Sequence, residues 1–353
     1  MNWFDVTLSE DERDVIDLVS AIVNSLGDLT DDSLDAVNDR RRALAEAGLW
    51  TLGVPEEFGG GGGSLRLRQV MLAALGRHWP AMAWASAQAH AAAELLGGRP
   101  EWATLLDNLH SGKQAVCVVD GGSASVDLGD SEQVAVGRLD PAGSDPAVLV
   151  LRTATSALVL DAGTLQVGAN VRRSGLAGAL TTSASATAPI SVVETTVSTT
   201  DVRSRLHLAG AAIAAGITAE CAEKASAYSR SRVQFGSPLT ALPTVRQSIL
   251  RQAGAARTAL LRALTTPPTQ FVAATALHDN CELAIETGAA AVQSHGGYGY
   301  LTEYGIERLV RDSISLRAAT DAAHAVRAAA AALVGADSAS IDALASPEGR
   351  RAS

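Results

Sequence analysis

Gln293-Ser294-His295-Gly296-Gly297-Tyr298-Gly299-Tyr300 is a glycine-rich break between two long helical patterns. One glycine is enough to end a helix, whereas this stretch has three within four positions. Because glycine carries no side chain, a partner backbone or a flat ligand can approach it closely. The amide of Gln293 can both donate and accept hydrogen bonds. We therefore interpret this break as a place of close contact with another group, rather than as a simple turn.

The break lies within a series of long amphipathic patterns in the C-terminal part of the chain. Helical spacing predicts helices at roughly 201–232, 241–264, 269–294 and 303–333. Long helices with short connections are typical of a four-helix bundle. We therefore predict a C-terminal four-helix bundle over residues 201–334 and a flexible tail over residues 335–353.

The rest of the chain divides into a helical part and a β-rich part. Residues 1–112 carry four helical patterns, and the first begins with the capping-box pair Ser9 and Glu12. Residues 113–200 contain short β-rich runs separated by Gly, Asp, Ser and Pro, which predicts a small antiparallel β domain. The fold class is therefore mainly α, with an N-terminal helical domain, a middle antiparallel β domain and the bundle.

The composition restricts the classes of partner and compartment. The formal net charge is −10, which disfavours nucleic acid and anionic membranes as partners. No apolar run reaches the roughly 18 residues of a membrane-spanning helix. The three cysteines are far apart and show no CxxC spacing, which is typical of reduced thiols. With no basic stretch near the N-terminus, we expect a cytoplasmic protein.

Several common site motifs are missing from the sequence. The seven histidines show neither HExxH nor HxxxH spacing, so we expect no metal site. Neither a Gly-x-Ser-x-Gly elbow nor a GxGxxG fingerprint after a strand is found, which disfavours hydrolases and nicotinamide enzymes. His207 and His278 fall within helical patterns, and we interpret both as structural histidines with satisfied hydrogen bonds. No Gly-Lys-Ser/Thr follows the glycines at 59–63, so we interpret them as a flexible turn.

A second informative stretch, Arg232-Val233-Gln234-Phe235-Gly236, follows the first predicted bundle helix. An arginine at a helix end, next to a turn glycine, can bind a phosphate through a forked, charge-assisted contact. The same pattern also fits a solvated arginine beside a core phenylalanine. The residues alone leave both interpretations open.

With these two stretches the sequence resembles the acyl-CoA dehydrogenase family over nearly its whole length. The glycine-rich break continues into the motif at 303–312, and a weaker match covers 42–60. The resemblance implies the acyl-CoA dehydrogenase fold, FAD as the cofactor, and oxidation of an acyl-CoA thioester across its α and β carbons. In this chemistry a carboxylate base removes the α-proton while the flavin accepts the β-hydride.

The chain departs from the family where a catalytic glutamate is expected. Counting without a gap from Arg311-Asp312 places Thr320 at that position, and a two-residue gap places Ala318 there. Asp321 is adjacent, but its side chain is one methylene shorter. Some family members place the base before an Arg-Leu pair on the first bundle helix, where this chain has Ser204.

The family's cofactor residues are only partly retained. The family threonine that contacts the flavin ring corresponds to Val119. In family tetramers the FAD pyrophosphate and adenosine lie against residues of the neighbouring subunit. The positions of this chain that match those residues are all retained: Arg232, Gln234, Phe235, Gln293, Gly296 and Gly297. This split resembles the β-type, non-catalytic subunit of heteromeric actinobacterial acyl-CoA dehydrogenases, which act on steroid side chains and other bulky thioesters.

The resemblance therefore implies a subunit that lends half of an FAD site to a glutamate-bearing paralogue within a heterotetramer. The acyl-CoA substrate would then bind to the complex, and an electron-transfer flavoprotein or a similar protein would accept the electrons. The alternatives are a homomeric enzyme with an atypical base such as Asp321, a structural or regulatory paralogue without chemistry, and a flavin-dependent monooxygenase on the same fold.

Overall fold

The computed structural model describes residues 3–30, 32–129, 133–160, 163–187, 190–195 and 197–335. The predicted tail over 335–353 therefore lies, except for Gly335, outside the described residues. The described elements follow the predicted order of helices, then strands, then helices. The mainly α fold class with a small middle β part is confirmed.

The N-terminal part contains five helices in the described residues: α1 (Glu10–Leu26), α2 (Leu34–Glu46), α3 (Leu65–Gly76), α4 (Pro80–Leu96) and α5 (Ala103–His110). The capping box of α1 forms as predicted: the Glu12 amide donates to the Ser9 hydroxyl oxygen at 3.2 Å, and the Ser9 amide donates to the Glu12 carboxylate at 2.9 Å. The short helix α5 was not predicted. Every residue of α4 is buried, and its many alanines allow this close packing.

The glycine run at 59–63 folds back tightly onto the segment before it. The amides of Gly62 and Gly63 donate to the carbonyl oxygens of Val54 and Leu52, each at 2.8 Å. A Cβ atom at Gly61 would lie 2.9 Å from the Leu52 carbonyl oxygen. The run is thus a packed loop that requires glycine, and its interpretation as a flexible turn is wrong.

The middle part forms two four-stranded sheets. One has the order β1-β4-β5-β8 and the other β2-β3-β7-β6. The strands are β1 (Val116–Asp120), β2 (Val126–Leu128), β3 (Gln133–Leu139), β4 (Ala147–Thr153), β5 (Ser156–Leu160), β6 (Leu165–Val167), β7 (Thr182–Thr187) and β8 (Ser191–Glu194). Apolar side chains of the two sheets, among them Val134 and Val148, form a shared core.

One strand pair corrects the prediction of an antiparallel domain. Strands β1 and β4 are parallel, with Val116 opposite Ala147, while the other described pairs are antiparallel. The chain leaves β1 for the second sheet, forms β2 and β3 there, and returns to lie beside β1 in the same direction. A crossover of this kind is what a parallel pair requires. It also places the end of β1 next to the helices.

The C-terminal part contains α6 (Thr199–Ser231), a hairpin of β9 (Val233–Gln234) and β10 (Ser237–Pro238), α7 (Pro243–Thr265), α8 (Gln270–His295), α9 (Ile306–Ala319) and α10 (Ala322–Leu333). Helix α6 lies at the centre and packs against α3, α4, α7 and α8. The side-chain amide of Asn280 donates to the carbonyl oxygens of Ala211 and Ala259, each at 3.0 Å, and so joins three helices of the bundle.

The prediction of one continuous helix over 303–333 is wrong. The chain leaves the helical conformation at Thr320 and Asp321, and Asp321 has φ 45° and ψ 45°. Aspartate enters this left-handed region more readily than most residues other than glycine. The break therefore occurs beside the positions where the family carries its base.

Two kinds of feature are absent from the described ranges. No helix in them is long and apolar enough to cross a membrane. No group of three or more His, Cys, Asp or Glu side chains in the same ranges is arranged to hold a metal ion.

Candidate functional site

A groove of about 600 Å³ lies where the end of α6, the start of α7 and the end of α8 meet. Its walls include five of the six residues predicted to bind the cofactor: Arg232, Gln234, Gln293, Gly296 and Gly297. They come from two sequence stretches about 60 residues apart in the chain. The structure therefore brings both informative motifs to one surface.

Arg232 supplies the positive charge of the groove. It is the C-cap residue of α6, and its guanidinium carbon lies 5.2 Å from the centre of the Tyr298 ring. A guanidinium group held over an aromatic ring keeps the N–H donors at its own edges free for other hydrogen bonds. The arrangement suits a forked contact with a phosphate group.

The three glycines of the break, at 296, 297 and 299, are not all needed for the same structural reason. A Cβ atom at Gly299 would lie 2.6 Å from the Val292 carbonyl oxygen, so the packing of this chain requires that glycine. Gly296 ends α8 with φ 60°. Gly297 has neither reason: its φ is not positive, and a Cβ atom there would meet no atom within 4 Å. The open space in front of Gly297 is available to a group from outside the chain.

Phe235, the sixth predicted cofactor residue, does not line the groove. It occupies the turn between β9 and β10 with φ 54°, and its side chain is 93% exposed. Val233 in the same hairpin is 58% exposed. Exposed apolar side chains that lie together often mark a surface for another protein.

Sequence reasoning missed the aromatic support of the groove. The rings of Tyr228 and His295 stack with their centres 4.4 Å apart, and Tyr304 packs edge-on against both. His295 Nδ1 lies 2.7 Å from the Ala291 carbonyl oxygen, and burial lowers the pKa of its ring. The spacing of Tyr228 and Arg232 was an available signal, because residues four apart share a helix face.

A second cavity, of about 370 Å³, lies between α4, the end of β1, α6 and the α9–α10 break. Four of the positions discussed for the family's flavin ring and base line it: Val119, Ala318, Thr320 and Asp321. Ser204 does not, since it is buried and donates its hydroxyl to the Thr200 carbonyl oxygen at 2.8 Å. Of the two alternative regions for the base, only the one at residues 318–321 therefore lines the cavity.

Asp321 is the only carboxylate among the predicted base positions. The Thr320 hydroxyl donates to the Leu316 carbonyl oxygen at 2.9 Å, and Ala318 has no acid–base group. The left-handed backbone at Asp321 places its carboxylate at the cavity, where Ser123 Oγ donates to Asp321 Oδ2 at 2.5 Å. This contact also links the α9–α10 break to the middle β part.

Asp120, at the end of β1, forms an ion-pair network on one side of the cavity. Arg203 Nε donates to Asp120 Oδ2 at 2.5 Å, and His324 Nε2 lies 3.4 Å from the same oxygen. Burial alone would raise the pKa of Asp120, but the contacts with His324 and Arg203 hold it well below its usual value. The contact with Asp120 in turn raises the pKa of His324. The network therefore joins the β part to α6 and α10.

His207 does not fit its interpretation as a satisfied structural histidine. Its ring lines the cavity and is only 9% exposed, and its Nδ1 is buried without a hydrogen-bond partner among the described residues. Burial, followed by the charge of Arg203, lowers its pKa to about 4. The ring is therefore neutral near pH 7, with one nitrogen that donates and one that accepts.

We expect the His324–Asp120 ion pair to stabilise the fold most between about pH 4 and 6.5. Since the pKa of Asp120 is lowered on folding, its contribution is lost as the pH falls below that window. The pKa of His324 is raised on folding, so its contribution is lost as the pH rises through the folded value. His324→Gln should thus lower the free energy of unfolding by about 1 kcal/mol at pH 6 and by less at pH 9.

Urea unfolding of the wild type and the variant at both pH values measures this difference. His278→Gln removes a partly exposed histidine of α8, which is not the ring that contacts Asp120, and is the matched control for the loss of an imidazole ring. An equal loss of stability at pH 6 and pH 9 for His324→Gln would contradict the expected role of the charge.

Two family models match the chain. The model of the acyl-CoA dehydrogenase N-terminal domain matches residues 10–99, and that of the acyl-CoA dehydrogenase C-terminal domain matches residues 202–321. Together they cover more than half of the sequence. Both matched regions contribute to the second cavity, and the groove lies within the C-terminal one.

Individual proteins are also similar. The probable acyl-CoA dehydrogenase YngJ of Bacillus subtilis (strain 168) is 33% identical over 111 residues, and the short-chain-specific acyl-CoA dehydrogenase of Megasphaera elsdenii is 34% identical over 110. The match spans 29% of this chain and 29% of each relative's length. The ChsE4-ChsE5 complex from Mycobacterium tuberculosis has a TM-score of 0.71 at 22% identity, covering 96% of this chain and 100% of that one. Glutaryl-CoA dehydrogenase from Mycobacterium smegmatis has a TM-score of 0.74 at 17% identity, covering 94% and 96%.

Proposed function

Because the chain belongs to the acyl-CoA dehydrogenase family, we propose that it is a subunit of an FAD-dependent acyl-CoA dehydrogenase. In this role it supplies the pyrophosphate and adenosine side of the FAD site to a paralogous subunit that carries the glutamate base. One observation carries the proposal: the groove keeps Arg232, Gln293 and Gly297 together, while the cavity has Thr320 and Ala318 where a base is needed.

The groove fits the phosphate-bearing half of FAD. Arg232 would hold the pyrophosphate with its guanidinium group, and Gln293, at the end of α8, would add a hydrogen bond. Gly297 leaves open space that packing within this chain does not need. When bound, FAD supplies the hydride acceptor of the reaction. The residues of this chain bind and orient the cofactor without touching the reacting carbons.

The second cavity supports placing the flavin ring and the base in the partner. Val119 offers no hydroxyl to the ring, and Asp120 is already engaged by Arg203 and His324. The Thr320 hydroxyl is bonded back into its own helix. A base and a ring-side donor are therefore both missing at the positions where the family has them.

The exposed hairpin supports a protein partner. Fully burying a phenylalanine side chain contributes about 1.5–3 kcal/mol, and Phe235 is almost wholly exposed in the single chain. A subunit that completes the FAD site from this side would cover the hairpin. The similar ChsE4-ChsE5 structure is itself described as a complex of two proteins, which is consistent with such pairing.

Electron transfer and location follow from the same proposal. An electron-transfer flavoprotein or a similar protein would accept the electrons from the complex. The three cysteines are free and buried, which suits a reducing compartment such as the cytoplasm.

We expect the isolated chain to bind little FAD and to show no acyl-CoA oxidation, because it holds only one side of the site. Mixing it with a glutamate-bearing paralogue should restore both. Flavin absorbance after gel filtration measures cofactor content, and reduction of an artificial electron acceptor measures turnover. If the chain alone retained a full complement of FAD and oxidised acyl-CoA, the proposed subunit role would be wrong.

A homomeric enzyme is the second candidate, and one observation favours it. The carboxylate of Asp321 lies at the cavity where the family's base acts. Under this alternative Asp321→Asn abolishes turnover of the isolated chain, because the amide cannot remove the α-proton. Unchanged turnover in that variant would eliminate Asp321 as the base.

A further inference from the structure

We propose that a third cavity, of about 460 Å³, binds a sugar phosphate. It lies between the segment that joins α1 to α2, the loop that joins β6 to β7 (residues 168–181, here the β6–β7 loop) and the first turns of α9. None of the residues that line this cavity lines the groove or the second cavity. The proposal therefore concerns a separate site and does not depend on the proposed subunit role.

Two arginines of the cavity have no partner. Arg172 and Arg173 are consecutive, exposed residues of the β6–β7 loop, and neither makes a hydrogen bond or an ion pair with a described residue. A guanidinium group presents its N–H donors in a fork that matches the oxygens of a phosphate group. Two like charges side by side also repel each other, and a bound dianion would offset that repulsion.

Arg308 adds a third guanidinium group from α9. Its side chain is only 12% exposed, and its Nη2 atom contacts Asp28 Oδ2 at 3.3 Å. Its Nη1 atom is neither fully buried nor hydrogen-bonded to a described residue, so it can donate to a bound anion. The fourth arginine of the wall, Arg311, is engaged by both oxygens of Glu307.

The β6–β7 loop is fastened to α9 by contacts within the chain. Arg311 Nη1 donates to the Ser174 carbonyl oxygen, and the Leu176 amide donates to Asp312 Oδ1 at 2.6 Å. Gly175 permits this close approach, because a Cβ atom there would clash with the Arg311 carbonyl oxygen. The loop is thus held in place without a ligand, and a site formed in advance loses less entropy on binding.

Two leucines of the same loop have an unusual backbone conformation. Leu176 has φ 57° and Leu180 has φ 51°, and both line the cavity. This left-handed region is uncommon for residues other than glycine. Such conformations cost energy, persist only where the surrounding structure fixes them, and cluster at ligand-binding sites. The shape of the loop is therefore consistent with a binding role.

The accessible charges of the cavity favour an anion. Asp312 is 3% exposed and bonded to the Leu176 amide, so it lies behind the wall. Asp32 is the exposed carboxylate that lines the cavity, against the unpaired charges of Arg172 and Arg173. A single carboxylate reduces the attraction of two arginines for a phosphate dianion but does not reverse it.

Asp32 also supplies an acceptor for a sugar hydroxyl. Its Oδ1 atom accepts the Gly178 amide at 2.7 Å, and no hydrogen bond to Oδ2 is found among the described residues. The side chains of Thr30 and Asn170 offer further donors and acceptors. No aromatic ring lines the cavity within the described ranges, so a nucleotide base would find no ring to stack on. The volume lies within the range of about 300–1,000 Å³ that is usual for small-molecule sites.

Ribose 5-phosphate is the probe, measured by calorimetry with the full chain at fixed ionic strength. We expect saturable binding at least about tenfold tighter than that of inorganic phosphate, because the sugar adds hydrogen bonds, and no measurable binding of ribose. The double variant Arg172→Gln/Arg173→Gln should weaken the binding of ribose 5-phosphate at least about tenfold. Adenosine 5′-monophosphate should bind no tighter than ribose 5-phosphate.

Three variants are controls. Arg152→Gln/Arg251→Gln removes the same charge from exposed arginines that do not line the cavity, and binding should change less than about twofold. Arg232→Gln tests for binding in the groove and should have no effect. Asp32→Asn keeps an oxygen for the Gly178 amide, but an amide oxygen is a weaker acceptor than a carboxylate. It should weaken the binding of ribose 5-phosphate without weakening that of inorganic phosphate.

Several results would overturn the proposal. An equal loss in the two double variants would show that only the overall charge matters. A loss in Arg232→Gln alone would place the ligand in the groove. Equal affinity for inorganic phosphate and ribose 5-phosphate would indicate an adventitious ion only, and much tighter binding of adenosine 5′-monophosphate would exclude the free sugar phosphate as the ligand class. Asp32→Asn stays decisive if the Arg172/Arg173 variant does not fold, and none of these results decides whether the groove binds FAD.

Discussion

Replacing Gly297 with valine is expected to leave the chain folded and to remove FAD from the heteromeric enzyme. A Cβ atom at this position meets no atom of the chain within 4 Å, and the backbone φ is one that valine can adopt. The added side chain would, however, occupy the space that the FAD pyrophosphate needs. Overpacking of this kind costs about 1–3 kcal/mol, so FAD affinity should fall up to about 100-fold.

Two other glycines are controls for this result. Gly254→Val, on α7 with open space around its Cβ, should change neither the fold nor FAD binding. In Gly299→Val the new side chain would press against the Val292 carbonyl oxygen, so this variant should lower stability by itself. Thermal unfolding and flavin titration of the reconstituted complex measure both properties. If Gly297→Val bound FAD like the wild type, the groove would not be the pyrophosphate site.

The order of the structural parts could be predicted from sequence because the signals are local. Helical periodicity and capping residues such as Ser9 act within a few positions, and they predicted the main helices to within a few residues. The break at Asp321 could not be predicted in this way. It contains no glycine or proline, and the contact that accompanies it comes from Ser123, far away in the chain.

The parallel pairing of β1 with β4 could not be predicted from local sequence patterns either. Both strands carry similar apolar runs, and the direction of pairing depends on the path of the chain through the second sheet between them. An alternating or continuous apolar pattern indicates a strand but does not specify its neighbour. Topology of this kind is decided by the packing of the two sheets against each other.

The two candidate sites differ in how much of each could be predicted from the sequence. The groove is built from two short stretches, and their residues were predicted together before the structure placed them on one surface. The cavity network was missed, because Asp120 and Arg203 are 83 positions apart and neither belongs to a distinctive motif. Helical position alone also gave the wrong interpretation of His207, whose missing hydrogen bond depends on its tertiary surroundings.

Arg232→Gln is expected to weaken FAD binding by the reconstituted complex about 10- to 100-fold. Hydrogen bonds to a charged group contribute about 1.5–3 kcal/mol each, and glutamine cannot supply the forked, positively charged contact. The FAD affinity of Arg232→Lys should lie between those of the wild type and Arg232→Gln, because an ammonium group keeps the charge but loses the planar geometry. The difference between wild type and Arg232→Gln should also shrink at high salt, since added ions screen a partly exposed charge.

The control for this prediction is Arg230→Gln, an exposed arginine in the last turn of α6 that does not line the groove. It removes the same charge from almost the same place, so a general electrostatic effect would appear equally in both variants. A contact with the pyrophosphate predicts a large loss for Arg232 and almost none for Arg230. Equal losses, measured by flavin titration at two salt concentrations, would show that Arg232 acts only through the overall charge of this surface and makes no specific phosphate contact.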